Sequence, residues 1–122
     1  YNWYAVNDPR GLAPQGWHIP TNAEWTTLST LLGGDVAAGG KMKTTGITRW
    51  TTPNTSATNE SGFSGLPGGV RNTSGSPDYR IGGYGYWWTA DDGYRSIGSQ
   101  EGFHGSTSIY TRYGFSVRCV RD

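Results

Sequence analysis

The residues able to do chemistry in this chain are few. The histidines are His18 and His104, and the one cysteine is Cys119. His18 lies in GWHIP beside Trp17 and Ile19, the setting of a structural histidine, while His104 stands between Phe103 and Gly105. No Ser-His-Asp spacing stands out, and with this many serines chance pairings are common. Cys119 falls on the apolar face of an alternating run, the place of a small buried hydrophobe rather than of a nucleophile. Asp91 and Asp92 could offer oxygen ligands to a hard cation. Neighbours in a strand point to opposite faces, so a joint site needs a turn, and a solvated turn is expected instead. GGYG (82–85) lacks the lysine and the following helix of a phosphate loop. No catalytic residue, metal or cofactor is expected from these residues.

What remains is recognition. TADDGYRSIGSQEGFHGSTSIYTR (89–112) disperses Tyr94, Phe103 and Tyr110 among Gly, Ser, Thr and Asp. Antibody binding loops have this composition, tyrosine giving rigid amphipathic contact and Ser and Gly giving adaptable hydrogen bonds. A polar β-hairpin with loops has it equally, and composition alone does not separate the two.

The elements that would hold this segment are legible to different degrees. YNWYAV (1–6) reads as a strand. PTNAEWTTLSTLLGG (20–34) reads as a helix, with Thr21 at the N-cap and Glu24 at capping-box spacing. Its apolar residues Trp25, Leu28, Leu31 and Leu32 recur at helical spacing, Trp25 being the core anchor, and Gly33-Gly34 supply the stop. Residues 35–46 suggest a short second helix weakened by Gly39 and Gly40. From there to about residue 83 the chain reads as loop, of a length that is often functional. Short strands are expected around 84–90 and 93–98 and over GFSVRCV (114–120), where Phe115, Val117 and Cys119 share one face. The 89–112 segment as a whole reads as the least regular part, clamped by the strand that follows it.

A length of 122 residues suits one domain, 1–122, with one real core. Aliphatics are scarce, but six Trp, eight Tyr and three Phe are present, and large rings can replace many aliphatics. The aromatic content and a formal charge of +1 argue against disorder, nucleic-acid binding and attraction to anionic membranes. There is no apolar run of membrane-spanning length, and one cysteine allows no disulfide within the chain. The expected class is α+β: two helices packed on short antiparallel sheets, with long ordered loops.

The pieces YNWYAV, GWHIPTNAEWTTL, GGKMK, NESGFSGLPGGVR, GYWWTA and GFSVRCVRD occur in an order that resembles the Fibrobacter succinogenes major paralogous domain over almost the whole chain. Members of that family carry an upstream Trp-Met-x-Glu-Asn-Leu-like stretch, and this sequence starts after it. The resemblance implies a C-type lectin-like fold whose N- and C-terminal strands lie together. It also brings in the formylglycine-generating branch of that fold, which uses a pair of active-site cysteines that one thiol cannot form, so a non-enzyme is expected. A subset of C-type lectin-like proteins are variable proteins of diversity-generating retroelements, in which adenine-directed randomisation of Asn codons near the 3′ end yields many residue types but not Lys, Gln, Glu, Met or Trp. Of those types, segment 89–112 holds only Gln100 and Glu101.

The expected function is therefore non-catalytic ligand binding, on a cell surface or a virion, toward a protein or glycan of another cell. Homo-oligomers are common among such display proteins. The candidate contacts are Asp91, Asp92, Tyr94, Arg95, Ser99, Phe103, His104, Ser106, Ser108 and Tyr110, on a frame of Trp3, Trp17, Trp25, Trp87 or Trp88 and the 114–120 strand. Arg112 and Arg118 are assigned to structure. The alternatives are a fixed aromatic platform for carbohydrate at Trp50 or Tyr84, a structural module of a larger surface protein, and a formylglycine-generating type of enzyme. The calcium-lectin tripeptides Glu-Pro-Asn and Gln-Pro-Asp are absent.

Overall fold

Thr21 stops one segment and starts another. Its hydroxyl accepts from Glu24 N (3.3 Å) while the Glu24 carboxylate accepts from Thr21 N (2.8 Å), so the capping box opens helix α2, Asn22–Leu31. Trp25 is buried and Leu28 and Leu32 pack beside it, but Leu31 is 81% exposed. At about 100° per residue Leu31 lies roughly 120° from Trp25 around the helix, outside the stripe that Leu28 and Leu32 share with it. This is α2 in a computed structural model that describes residues 1–76, 80–100, 102–106 and 110–122.

Two other helices flank it. α1 (Trp3–Val6) stands where a strand was expected. Only Tyr1 is sheet-like there: its backbone exchanges both hydrogen bonds with Phe115, at 2.8 and 2.9 Å. The Asn2 side chain then accepts from Ala5 N (3.0 Å) and turns the chain into a helical turn that buries Trp3 against Trp88. α3 (Asp35–Met42) follows Gly33 and Gly34, whose φ values of 99° and 91° suit glycine. Within α3, Gly39 and Gly40 are contact points. A Cβ on Gly39 would lie 2.7 Å from the Gly102 backbone, and one on Gly40 would strike the Ser56 carbonyl.

Strands β2 (Tyr84–Trp88), β3 (Tyr94–Gly98) and β4 (Phe103–Ser106) form an antiparallel sheet in that order, with Trp87 opposite Arg95 and Ile97 opposite Phe103. β1 (Trp17–His18) pairs antiparallel with β5 (Val120–Arg121). Two expectations are corrected here. Segment 89–112 is not the irregular part, because it holds β3 and β4. The 114–120 run is not one continuous strand either. Its alternation is kept, with Phe115 buried, Val117 and Cys119 half-buried, and Ser116, Arg118 and Val120 exposed. Its partners, however, change residue by residue: Arg71 for Gly114, Tyr1 for Phe115, Trp87 for Ser116, then β1. The chain end stitches four segments together one rung at a time. The fold is α+β, and among the described residues no helix is long and apolar enough to cross a membrane.

Alternation along β2 divides the core. Trp87 joins Trp25, Ala38, Met42, Trp50, Phe63, Ile97 and Phe103 on one side, while Tyr86 and Trp88 join Trp3, Val70 and Phe115 on the other. Trp17 is 44% exposed and does not belong to this frame. Its neighbour His18 contacts Asp122 through Nδ1 and Glu24 through Nε2, both at 2.7 Å, and so joins β1 to α2 and the chain end. Both contacts raise the imidazole pKa above its ordinary 6.5, that with Asp122 most, against weak desolvation. A raised folded pKa gives stability that is full below the unfolded value and is lost as pH rises through the folded one. The thermal midpoint is therefore expected to fall as pH is raised from below 6.5 through the higher pKa of the folded chain. In a His18→Gln variant this fall should shrink in the same melting series.

Candidate functional site

The turn between β2 and β3 carries Asp91 and Asp92, both exposed. Asp92 adopts φ 62°, a conformation that Asp tolerates better than most residues. The two acids do different things. Asp91 accepts from the backbone N of Asn22 (2.7 Å) and so serves the first turn of α2. Nearby, Ala90 N donates to the Pro20 carbonyl (2.9 Å), which seats the turn on the segment before the helix. Among the described residues no three His, Cys, Asp or Glu side chains gather as a metal site would need.

Arg95 reaches the same helix. Its Nη2 donates to the Asn22 carbonyl and to Thr26 Oγ1, both at 3.0 Å, and its guanidinium lies 5.6 Å from the centre of the Phe103 ring. Burial draws the guanidinium pKa down, opposed by the charges of Asp35 and Asp91. A wide-mouthed polar cavity of about 600 Å³ is lined by Asn22, Asp35, Arg95, Gly105 and Ser106. The structure thus brings Asp91, Arg95 and Ser106 together around Asn22. Nothing in the sequence marks Asn22 or Asp35 for this role, since they meet β3 and β4 only through the packing of α2 and α3.

The other candidates disperse. His104 is exposed on β4, opposite Ser96. Tyr94 and Tyr110 lie toward the second aromatic cluster, their rings 6.3 Å apart, with Tyr94 against Phe115 (5.0 Å) and Tyr110 47% exposed. Ser108 falls outside the described residues. Phe103 and Ser99 are corrected: both are buried, Phe103 completely. Phe103 pairs with Ile97 across the hairpin and packs on Trp25, so its ring is out of reach of an external ligand. Trp50 is also buried, its Nε1 donating to the Gly65 carbonyl (3.1 Å), and offers no platform to a sugar. Tyr84 is half-buried and stacked on Tyr86. Cys119 is half-buried rather than enclosed, and lines an apolar groove with Trp25, Leu28, Phe63 and Val120.

One residue of the frame escaped the sequence reading. Lys43, just past α3, is fully buried and donates from Nζ to the carbonyls of Gly98 and Ser99, each at 3.1 Å. It grips the chain where β3 ends. Burial lowers the pKa of its amine.

The profile of the family described as the Fibrobacter succinogenes major domain matches residues 1–121. No curated protein and no solved structure matches the chain.

Proposed function

The chain belongs to the Fibrobacter succinogenes major domain family, and from this membership and the geometry of the β3–β4 hairpin we propose that it is a non-catalytic ligand-binding domain of C-type lectin-like kind, displayed on a cell or virion surface, whose hairpin face is diversified by a retroelement. Its partner is a protein or glycan on another cell. The observation that carries this reading is the division of labour within 91–106. Ile97, Ser99 and Phe103 are buried, whereas Asp91, Asp92 and His104 are exposed, and Arg95 and Ser106 line an open polar cavity. Exposed positions tolerate substitution within about ±0.5 kcal/mol, and core positions do not. A hairpin pinned from inside can change its outer residues without losing its backbone.

The reading is tested by sequencing sibling genes of the same genome and its close relatives. Adenine-linked substitutions are expected to concentrate at 91, 92, 95, 104, 106 and 110 and to spare 97, 99 and 103. A hairpin constant among siblings, or variation that strikes 97 and 103 as often as 92 and 104, would overturn it.

A further inference from the structure

A second recognition feature lies away from the hairpin face. The loop 71–75 and the residues 112–114 meet through a two-way backbone rung, Arg71 N to Gly114 O (2.9 Å) and Gly114 N to Arg71 O (2.8 Å). Between them and the chain start is a cleft of about 290 Å³ that Arg71, Asn72, Thr73, Arg112 and Asn2 help to line. The volume is near the lower end of small-ligand sites and admits about one sugar ring.

The cleft is rich in donors. Arg71 is held in place by its own loop: Nε donates to the Gly75 carbonyl (3.1 Å), and a Cβ at Gly75 would sit 3.4 Å from Nη2. One edge of the guanidinium is thereby fixed and its terminal nitrogens remain. Among the described residues no carboxylate pairs with Arg71 or Arg112; the ion pairs lie elsewhere, at Asp8–Arg10, Glu60–Lys41 and the His18 contacts. The amide oxygens are already engaged, Asn72 Oδ1 by Ser74 N and Oγ and Asn2 Oδ1 by Ala5 N, which leaves both NH2 groups as donors. Two forks and two amide donors ask for a ligand rich in acceptors that includes an anion.

We propose that this cleft binds the carboxylated sugar of an acidic glycan, the guanidinium groups taking the carboxylate and Asn2, Asn72 and Thr73 the ring oxygens and hydroxyls. A pre-oriented guanidinium loses less freedom per bond and favours planar carboxylate recognition. An acidic peptide would satisfy the arginines but offers the amides one carbonyl per residue, whereas a sugar ring presents its ring oxygen and hydroxyls on adjacent carbons, close-set acceptors that suit Asn2, Asn72 and Thr73 in a cleft of this size. The site does not depend on whether the β3–β4 hairpin varies.

The test is calorimetric titration of the domain with tri-galacturonate at low ionic strength. Binding is expected to weaken by at least about tenfold in Arg112→Gln and in Arg71→Gln, and to be lost in the double variant. The methyl ester of the same trisaccharide should not bind, and added salt should weaken the acid form. Arg112 is exposed and its side chain makes no ion pair among the described residues, so Arg112→Gln should melt like the parent and decides the matter if Arg71→Gln disturbs the loop. Any of four results overturns the proposal: no heat with millimolar tri-galacturonate, equal binding by the ester, indifference to Arg112→Gln, or binding of a poly-glutamate peptide or inorganic sulfate as tight as that of the sugar.

Discussion

Phe103→Ala is expected to lose about 3–5 kcal/mol of unfolding free energy, the usual cost of emptying a fully buried aromatic site. The ring is 0% exposed, sits 5.7 Å from that of Trp25, and faces Ile97 across the hairpin. The guanidinium of Arg95 also lies over it, at 5.6 Å. Truncation would open a void at the junction of α2, α3 and the sheet and remove the surface that Arg95 rests on. Phe103→Leu keeps much of the volume and should cost well under half as much. Urea unfolding of the two variants measures both. The size of the loss discriminates between roles: a side chain that served only to touch a ligand could be truncated with a change inside about ±0.5 kcal/mol. A near-neutral Phe103→Ala would return the residue to the surface and dissolve the inner pin on which the proposed function rests.

How far such a residue can be read from sequence depends on what its signal is measured against. The start of α2 was legible because a capping box is local: Thr21 and Glu24 satisfy each other within one turn. The alternation of Phe115, Val117 and Cys119 was legible for the same reason, but not the backbone partners of the run from Gly114 to Arg121, which come from four places in the chain. Segment 89–112 misled because Gly and Ser are frequent in it, while Ile97 and Phe103, core residues among those described, become a pair only once the hairpin closes. The helical glycines misled differently. Gly39 weakens a helix by propensity, about 1 kcal/mol against alanine, yet it is there because the Gly102 backbone passes where a Cβ would be. Gly102 in turn fits closely against Asp35 and Val36, so two glycines distant in sequence form one contact between α3 and the approach to β4. Of the candidate site, the exposed positions Asp91, Asp92 and His104 were legible from composition, and so were the aromatic members of the frame, Trp3, Trp25, Trp87 and Trp88; Lys43 and the glycine contact were not.

Lys43 is the part of that frame with the greatest leverage over the hairpin. A lysine at a helix end ordinarily reads as a solvated charge, and here it is enclosed, with Nζ between two carbonyls and 5.6 Å from the centre of the Trp50 ring. Lys43→Met keeps the apolar stem and removes the donors: the Ser99 carbonyl still accepts from Thr55 N (2.7 Å), while the Gly98 carbonyl loses its Nζ partner at the end of β3. A buried acceptor left unmet costs about 1–3 kcal/mol, so a loss of about 1–3 kcal/mol is expected by urea unfolding. Amide exchange should quicken around 97–99 before it does in α2, because the defect is local to the hairpin. The pH dependence gives an independent reading. Burial holds the amine pKa of the folded chain below the 10.5 of an unfolded lysine. Between those two values the unfolded chain binds the extra proton, so the Lys43 contribution to stability rises with pH in that window. A neutral amine still has two N–H groups, one for each carbonyl, so deprotonation relieves the burial of charge without breaking the grip. Lys43→Met should abolish that alkaline rise. If the variant kept parental stability and the same alkaline slope, Lys43 would be a bystander, and the β3 end would be held by the backbone bonds of Ser99 to Thr55 and Gly83 and by the glycine contact at 39 and 102.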